Sequence, residues 1–214
     1  ASNLGRFKLT DWERFVHADD DLDPLVRMAV SHYQFEAIHP FHDGNGRTGR
    51  ALAQSIFRNK YLVGSTTVPL STGLLVDVDR YFTSLGEFRR GDAGPVIREF
   101  ANASRIAAAS GTQLVDNLAA QIEASRASLV GVRSDAAAWR VLPVLVGQPV
   151  VNSKYLINTL GLGEMTALRA LDVLTERGVL TETTGRTRAR VWQHRGIFEV
   201  LDDYSTKIRR MSVR

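Results

Sequence analysis

The segment HPFHDGNGRTGR, residues 39–50 and hereafter the glycine loop, dominates the interpretation of this 214-residue sequence. Two glycines, Gly44 and Gly46, flank Asn45 and allow open backbone conformations that bring the chain close to a ligand. A helix beginning near Arg47 would present unpaired N–H groups and the positive end of its dipole, which together favour phosphate. The segment therefore predicts a phosphate-binding loop between two helices.

The polar side chains of the glycine loop add binding and catalytic chemistry. Arg47 and Arg50 lie three residues apart, and their planar guanidinium groups can bind phosphate oxygens through two hydrogen bonds at once. Asn45 can donate an amide hydrogen bond to the same oxygens. Asp43 supplies a carboxylate of the kind that binds Mg²⁺ together with substrate phosphates. His39 precedes them at a helix end, where an imidazole can act as general base on a hydroxyl.

Each of these residue types also has an ordinary structural interpretation, but their occurrence together within twelve residues favours a functional loop. A metal site made of His39, His42 and Asp43 is an alternative that no further histidine cluster supports. His42 is interpreted as structural or solvent-facing. No function is assigned to the remaining histidines, His17, His32 and His194.

Helix signals flank the glycine loop on both sides. Asp23 and Pro24 predict a helix start, with the aspartate as N-cap and the proline in the first turn. The following helix, residues 25–38, ends at His39-Pro40 because proline disfavours helical geometry in the residue before it. A second helix is predicted from about Arg47 to Tyr61. Alanine-rich and amphipathic patterns predict further helices over residues 78–90, 95–110 and 113–130.

The C-terminal part of the sequence predicts a separate domain. Residues 131–134 read as a linker between a mostly helical domain, residues 1–132, and a second domain, residues 133–214. In the second domain, helices are predicted over 136–146, 153–160 and 164–177, followed by a β-hairpin of strands 179–182 and 190–192 around a turn at 184–186. This order is that of a winged helix-turn-helix. The predicted fold class is mainly α, a helical bundle followed by a small α/β winged helix-turn-helix domain.

The glycine loop resembles the Fic family motif H-x-F-x-[D/E]-G-N-G-R-x-x-R at every defined position. The similarity extends over roughly residues 9–109, including YQFEAI at 33–38 and RRGD at 89–92. This resemblance implies a Fic-type helical bundle with protein adenylyltransferase activity. Such an enzyme transfers AMP from Mg-ATP to a hydroxyl side chain of a target protein and releases pyrophosphate.

The resemblance also implies a role for each motif residue. His39 would deprotonate the target hydroxyl, and Asp43 would hold Mg²⁺ between the α- and β-phosphates of ATP. Phe41 would be buried and anchor the loop to the core. The nucleotide-binding residues would be Gly44, Asn45 and Gly46, which form an anion hole, together with Arg47 and Arg50, which grip the polyphosphate.

Related chemistries stay open within the family. Doc-like kinases carry lysine where this chain has Gly46, so Gly46 favours transfer of AMP over transfer of phosphate. Phosphocholine transfer and the removal of AMP from a modified protein are not excluded by the motif. In such proteins the β-hairpin flap that docks the target lies upstream of the motif, and this sequence begins about where the flap would end. The inhibitory helix pattern [S/T]-x-x-x-E-[G/N] is not found before the glycine loop.

Composition limits the remaining partners. The sequence has no cysteine, which excludes disulfides and thiolate metal sites. No apolar run approaches the roughly 18 residues that a membrane-spanning helix requires. We therefore expect a cytoplasmic protein without membrane contact.

The net charge of +4 lies entirely in the C-terminal part, with 12 basic and 8 acidic residues over 134–214 and 15 of each before it. A winged-helix DNA-binding regulator with a nucleotide-sensing Fic core is therefore the alternative function. Its contacts would be helix 164–177 in the major groove and Arg186, Arg188 and Arg190 on phosphates. Acidic residues at 164, 172 and 176 of that helix favour protein contact or a homodimer instead.

Overall fold

The protein is mainly helical. The computed structural model describes residues 3–59, 69–74, 76–185 and 189–211. Its helices in the N-terminal half are α1 (Asn3–His17), α2 (Pro24–Ile38), α3 (Asn45–Asn59), α4 (Leu70–Leu74), α5 (Val78–Arg89) and α6 (Gly94–Ser128). Its later elements are α7 (Ala137–Val141), α8 (Val144–Gly147), β1 (Val150–Val151), α9 (Ser153–Leu160), α10 (Glu164–Glu176), β2 (Thr181–Glu182), β3 (Trp192–Gln193) and α11 (Arg195–Met211).

Two compact units make up the described chain. The first comprises the described residues up to Gly111 together with those from Ile208 onward, and the second comprises those from Thr112 to Lys207. The second unit therefore begins within α6, whereas the sequence places the domain boundary between residues 132 and 133. The physical reason is that Ile122 and Leu129, in and just after the last turns of α6, are buried in the core of the second unit.

The helix that leads into the glycine loop begins as predicted. The Asp23 side chain accepts hydrogen bonds from the N–H groups of Leu25, at 2.8 Å, and Val26, at 3.4 Å, while Pro24 occupies the first turn. These bonds satisfy donors that have no partner within the helix. α3 begins at Asn45, two residues before the predicted start.

Two helix predictions were wrong in their boundaries. Residues 94–128 form one continuous helix, where the sequence predicted a break around Gly111. A glycine inside a helix costs about 1 kcal/mol relative to alanine, which weakens a helix without ending it. Residues 136–146 were predicted as one helix but form two short ones. Pro143 separates them because proline lacks the N–H that a continuous helix would use.

The core of the first unit is built from aromatic side chains of α2, α5 and α6. Tyr33 and Phe100 are fully buried, with ring centroids 5.7 Å apart. The Tyr33 hydroxyl lies 2.9 Å from the Ser84 hydroxyl, which gives the buried phenol a hydrogen-bond partner. A Cβ atom at Gly73 of α4 would lie 2.2 Å from the carbonyl oxygen of Ala103, so only glycine permits this approach to α6. Apolar residues of α2 and α3 join the same core, which fixes the two helices that flank the glycine loop.

The core of the second unit surrounds Trp192, which is 1% exposed. Its strand β3 is central in a three-stranded antiparallel sheet of order β1-β3-β2, with Trp192 opposite Val151 on one side and Glu182 on the other. In α10, Leu171 and Leu174 are fully buried against this core. Two of the three arginines predicted on the hairpin turn, Arg186 and Arg188, lie outside the described residues.

Candidate active site

The glycine loop starts where α2 ends, at His39. The backbone of His39 adopts a left-handed conformation, φ 51° and ψ 60°, and its N–H donates to the carbonyl of Phe35 at 3.0 Å. A left-handed conformation is unfavourable for a residue other than glycine, and strained conformations of this kind cluster at functional sites. The side chain of His39 is exposed, so the imidazole is accessible to a bound molecule.

Asn45 closes the loop through its side chain. Its Oδ1 accepts a hydrogen bond from the N–H of Phe41 at 3.0 Å, and its Nδ2 donates to the carbonyl of the same residue at 2.6 Å. Asn45 is 2% exposed, so these bonds are shielded from water. The amide that the sequence analysis assigned to a phosphate is thus used within the loop. The backbone N–H of Asn45 remains as its contribution to a ligand site.

Phe41 was predicted to be buried, and this is wrong. Half of its side chain is exposed, and its ring centroid lies 6.1 Å from that of Phe35. The ring is therefore only partly covered. The loop is held by the two hydrogen bonds between Asn45 and the Phe41 backbone, which leave the phenyl ring free to project outward.

The start of α3 forms a concentration of hydrogen-bond donors. Gly44 has φ +83°, a conformation that side chains other than glycine rarely adopt. The first backbone bond of the helix runs from Thr48 N–H to the Gly44 carbonyl, at 2.9 Å. The N–H groups of residues 45–47 precede that bond and have no acceptor within the helix. Together with the helix dipole they can bind an anion, as the sequence predicted.

Asp43 lies beside these donors and interacts with two neighbouring groups, one from the backbone and one from a side chain. One carboxylate oxygen accepts from the Gly44 N–H at 2.6 Å, and the other lies 3.3 Å from Nη2 of Arg47. Both side chains are highly exposed, at 93% for Asp43 and 76% for Arg47, so their ion pair contributes little to stability. The carboxylate and the guanidinium can therefore separate readily when a ligand competes for them.

The described residues contain no group of three or more histidine, aspartate or glutamate side chains placed to hold a metal ion. His39, His42 and Asp43 do not form such a group in the described part of the chain. His42 is exposed, as expected for a solvent-facing side chain. A cation at this end of the loop would have Asp43 as its carboxylate ligand and would need oxygens from a substrate.

A buried polar cluster lies behind the loop. His32 and Glu36 of α2 are 2% and 7% exposed, and His32 Nε2 lies 3.1 Å from the Tyr81 hydroxyl. Burial lowers the pKa of His32 to about 4, and the positive charge of Arg50 acts in the same direction. Burial raises the pKa of Glu36, while the charges of His39 and Arg50 oppose this. His32 is therefore neutral at pH 7.

Comparisons with known proteins identify the segment that carries the loop. Residues 4–57 match the model of the Fic/DOC family. This part of the chain is a Fic/DOC family domain. Protein adenylyltransferase fic-1 of Caenorhabditis elegans is 35% identical over 83 residues, 39% of this chain and 15% of that protein. Protein adenylyltransferase Fic of Nematostella vectensis is 38% identical over 77 residues, 36% of this chain and 17% of that protein.

A solved structure of a Fic family protein from Desulfovibrio desulfuricans G20 is 26% identical to the chain, with a TM-score of 0.43, and the alignment covers 89% of this chain and 55% of that one. The aligned segments span 15–17% of the length of the two adenylyltransferases. The Fic/DOC match covers most of α1, α2 and α3 and ends before α4. Among the helices that the structure describes, none combines the length and apolar character needed to cross a membrane.

Sequence analysis of the Fic domain missed the buried cluster. His32 was assigned no function, and Glu36 was included only as part of a predicted helix and of the YQFEAI segment at residues 33–38. Both residues occupy the apolar stripe of α2, which also contains Met28 and Phe35. A charged or titratable residue on such a stripe is the signal that could have marked them, since burial of these groups requires a specific partner.

Proposed function

We propose that the chain is a protein adenylyltransferase, which transfers AMP from Mg-ATP to a hydroxyl side chain of a target protein and releases pyrophosphate. The observation that carries this proposal is the arrangement of the glycine loop. An exposed imidazole at one end, His39, shares a closed loop with the donor-rich start of α3. A general base beside a polyphosphate site is what attack of a hydroxyl on a phosphate requires.

Each group in the loop has a role in this reaction. His39 accepts the proton of the target hydroxyl, whose oxygen forms a bond to the α-phosphorus as the bond to the β-phosphate oxygen breaks. The backbone N–H groups at the start of α3 stabilise the negative charge on the α-phosphate. Arg47 and Arg50 bind the departing pyrophosphate. Gly46 leaves room above α3 for the polyphosphate, where a lysine would occupy that space.

Asp43 is the residue that fits Mg²⁺. Its carboxylate is almost fully exposed and supplies hard oxygen ligands, and Mg²⁺ commonly binds one or two carboxylates together with substrate phosphates. Bound Mg²⁺ would neutralise phosphate charge. It would also compete with Arg47 and the Gly44 N–H for the same carboxylate, so metal binding would release two donors for phosphate.

The names of the related proteins support the same activity. Both the Caenorhabditis elegans and the Nematostella vectensis relatives are protein adenylyltransferases, and each match includes about 80 residues of this chain. The proposal extends that activity to this chain because the loop retains the motif residues His39, Asp43, Asn45, Arg47 and Arg50.

Transfer of radiolabel tests the proposal. The protein is incubated with Mg²⁺, a cell lysate and ATP labelled on the α-phosphate, and label is expected on protein. His39→Ala should reduce this by about a thousandfold, the middle of the usual range for loss of a general base. The matched control is His42→Ala, which removes an exposed histidine three residues away. Label from γ-labelled ATP, or α-label that survives His39→Ala, would contradict the proposal.

We further propose that residues 136–200 form a winged helix-turn-helix module that contacts protein rather than DNA. The support lies in how its basic residues are used. Arg190 stacks over Trp192, 4.6 Å from its centroid, and pairs with Glu182 at 3.2 Å. Arg177 donates to the carbonyl of Val130 at 3.1 Å. Arginines held by their own unit are poorly available to phosphates.

The mass of the protein in solution and its mobility with duplex DNA distinguish these functions. Light scattering after gel filtration should give twice the monomer mass if the module forms a homodimer. A random duplex should not shift at low salt. A salt-dependent shift that Arg188→Ala weakens would instead favour the DNA-binding regulator.

A further inference from the structure

Glu36 presents a buried carboxylate that its surroundings leave partly unsatisfied. It lies on α2 one turn before His39, and its Oε1 atom has no hydrogen-bond partner among the described residues. Buried charged groups are normally paired, because burial removes them from water. The groups that surround this unpaired oxygen indicate which partner it could bind.

Two glycines of α3 form a slot for this carboxylate. A Cβ atom at Gly49 would lie only 2.6 Å from Oε1 of Glu36. A Cβ atom at Gly46 would lie 3.2 Å from Nη1 of Arg50 and 4.0 Å from the same Oε1. The carboxylate and the guanidinium therefore border one space, and any side chain at either glycine would intrude on it.

Of the groups at the slot, Arg50 is the one that always carries a positive charge. His32 also faces Gly49, with its ring 3.2 Å from the Cβ position, but its lowered pKa keeps it neutral. Tyr81 lies against His32 and is uncharged, since burial raises the pKa of its hydroxyl. His39 and Arg50 are the positive groups that act on Glu36, and only a guanidinium is charged at every working pH.

We propose that Glu36 is a positioning residue that acts through Arg50. When nucleotide binds, the unpaired Oε1 of Glu36 accepts a hydrogen bond from one edge of the Arg50 guanidinium, so that the opposite edge faces the polyphosphate. A guanidinium has five donors in a rigid fork and can serve a carboxylate and a phosphate together. The inference rests on the proposed function, because it assigns Arg50 to the nucleotide. It also explains why the slot is lined by Gly46 and Gly49.

A double-mutant cycle on nucleotide affinity tests this role. The Kd for Mg-ATP is measured by titration calorimetry for the wild type, Glu36→Gln, Arg50→Lys and the double variant. Glu36→Gln keeps the shape of the side chain and should raise the Kd about tenfold, the scale of one charge-assisted hydrogen bond. The double variant should bind no more weakly than Arg50→Lys alone, because Glu36 acts only through Arg50.

The matched control is Glu123→Gln, which removes the same charge from a surface pair with Arg126. It should leave the Kd unchanged. A purely structural role for Glu36 would lower the unfolding midpoint of Glu36→Gln and leave the affinity of the folded protein intact. That result, or effects of Glu36→Gln and Arg50→Lys that multiply in the double variant, would overturn the proposal.

A second variant covers the case in which Glu36→Gln does not fold. Gly49→Ala places a methyl carbon 2.6 Å from Oε1, too close for the carboxylate to stay in place, so it should displace Glu36 and raise the Kd in the same way. An unchanged Kd in Gly49→Ala would contradict the proposal. The cycle measures binding without a target protein. A wild type that binds Mg-ATP but labels no protein would therefore refute the adenylyltransferase proposal and still decide the role of Glu36.

Discussion

The glycine loop and the β2–β3 region contain similar polar residues, but these residues have different roles in the two places. In the loop, the exposed groups are held only loosely, as in the solvent-exposed pair of Asp43 and Arg47. In the second unit, Arg190 stacks on Trp192 and pairs with a carboxylate, and the buried His194 accepts from the Ile197 N–H and lies 2.9 Å from the Ser125 hydroxyl. Among the described residues of these two regions, the polar groups of the loop are therefore the more available to a ligand.

This difference has a structural origin. The loop is stabilised by one buried side chain, Asn45, and by a glycine with positive φ, Gly44, so its remaining donors need no internal partners. The β2–β3 pair has only two residues in each strand, and it depends on side-chain contacts for stability. The loop is closed by few residues, so its other polar groups need no partner within the protein. The short sheet depends on contacts between its side chains, which occupies their polar groups.

Of the comparisons between the two regions, the largest effect is expected for a pair of arginines, Arg50 in the loop and Arg190 in the second unit. Arg50→Ala should lower AMP transfer about a hundredfold, because phosphate loses a charge-assisted bidentate contact. Arg190→Ala should leave transfer unchanged and destabilise the second unit by about 1 kcal/mol through loss of its stacking on Trp192. Initial rates with α-labelled ATP and urea unfolding measure the two quantities. Equal losses of activity in the two variants would remove the distinction between the regions.

Two asparagines give the next comparison. Asn45→Ala removes both hydrogen bonds to the Phe41 backbone and should cost about 2–3 kcal/mol, with AMP transfer reduced as the loop opens. Asn152 caps α9 by accepting from the Tyr155 N–H at 2.8 Å, and Asn152→Ala should cost about 1 kcal/mol without affecting transfer. Urea unfolding monitored by circular dichroism measures both costs. A smaller cost at Asn45 would contradict its role in closing the loop.

The last prediction concerns the dependence of stability on pH. The pKa of His32 is about 4 in the folded protein and about 6.5 in an unfolded chain, so the unfolded state binds more protons between these values. The stabilisation is complete above pH 6.5 and is lost as pH falls, by about 2 kcal/mol at pH 5. The raised pKa of Glu36 acts in the opposite direction. Urea titrations at pH 7 and pH 5 should therefore show a smaller loss in His32→Gln than in the wild type, and equal losses would contradict this.

Local signals predicted the elements that flank the site. Asp23 and Pro24 fixed the start of α2, and proline after His39 fixed its end, because capping and proline sterics depend on adjacent residues. The glycines on either side of Asn45 likewise predicted a helix start with unpaired N–H groups. By contrast, the continuity of α6 through Gly111 depends on packing along its length, which a local helix-breaking residue does not reveal.

Side-chain partners could not be predicted from the same signals. The amide of Asn45 could equally bind a phosphate or the loop backbone, and only the folded geometry places it within reach of Phe41. The proximity of Glu36 to Arg50 likewise depends on the packing of α2 against α3, although the two residues are 14 positions apart. The exposure of Phe41 could not be predicted either, because the presence of an apolar residue in a motif does not show how much of its side chain is covered.

The mass gained by a modified protein tests the central claim most directly. The wild type, His39→Ala and His42→Ala are each incubated with Mg²⁺, ATP and a cell lysate, and modified proteins are analysed by intact mass. One AMP should be added with the wild type and with His42→Ala, and none with His39→Ala. A gain of one phosphate or one phosphocholine, or an AMP gain that persists in His39→Ala, would contradict the central claim.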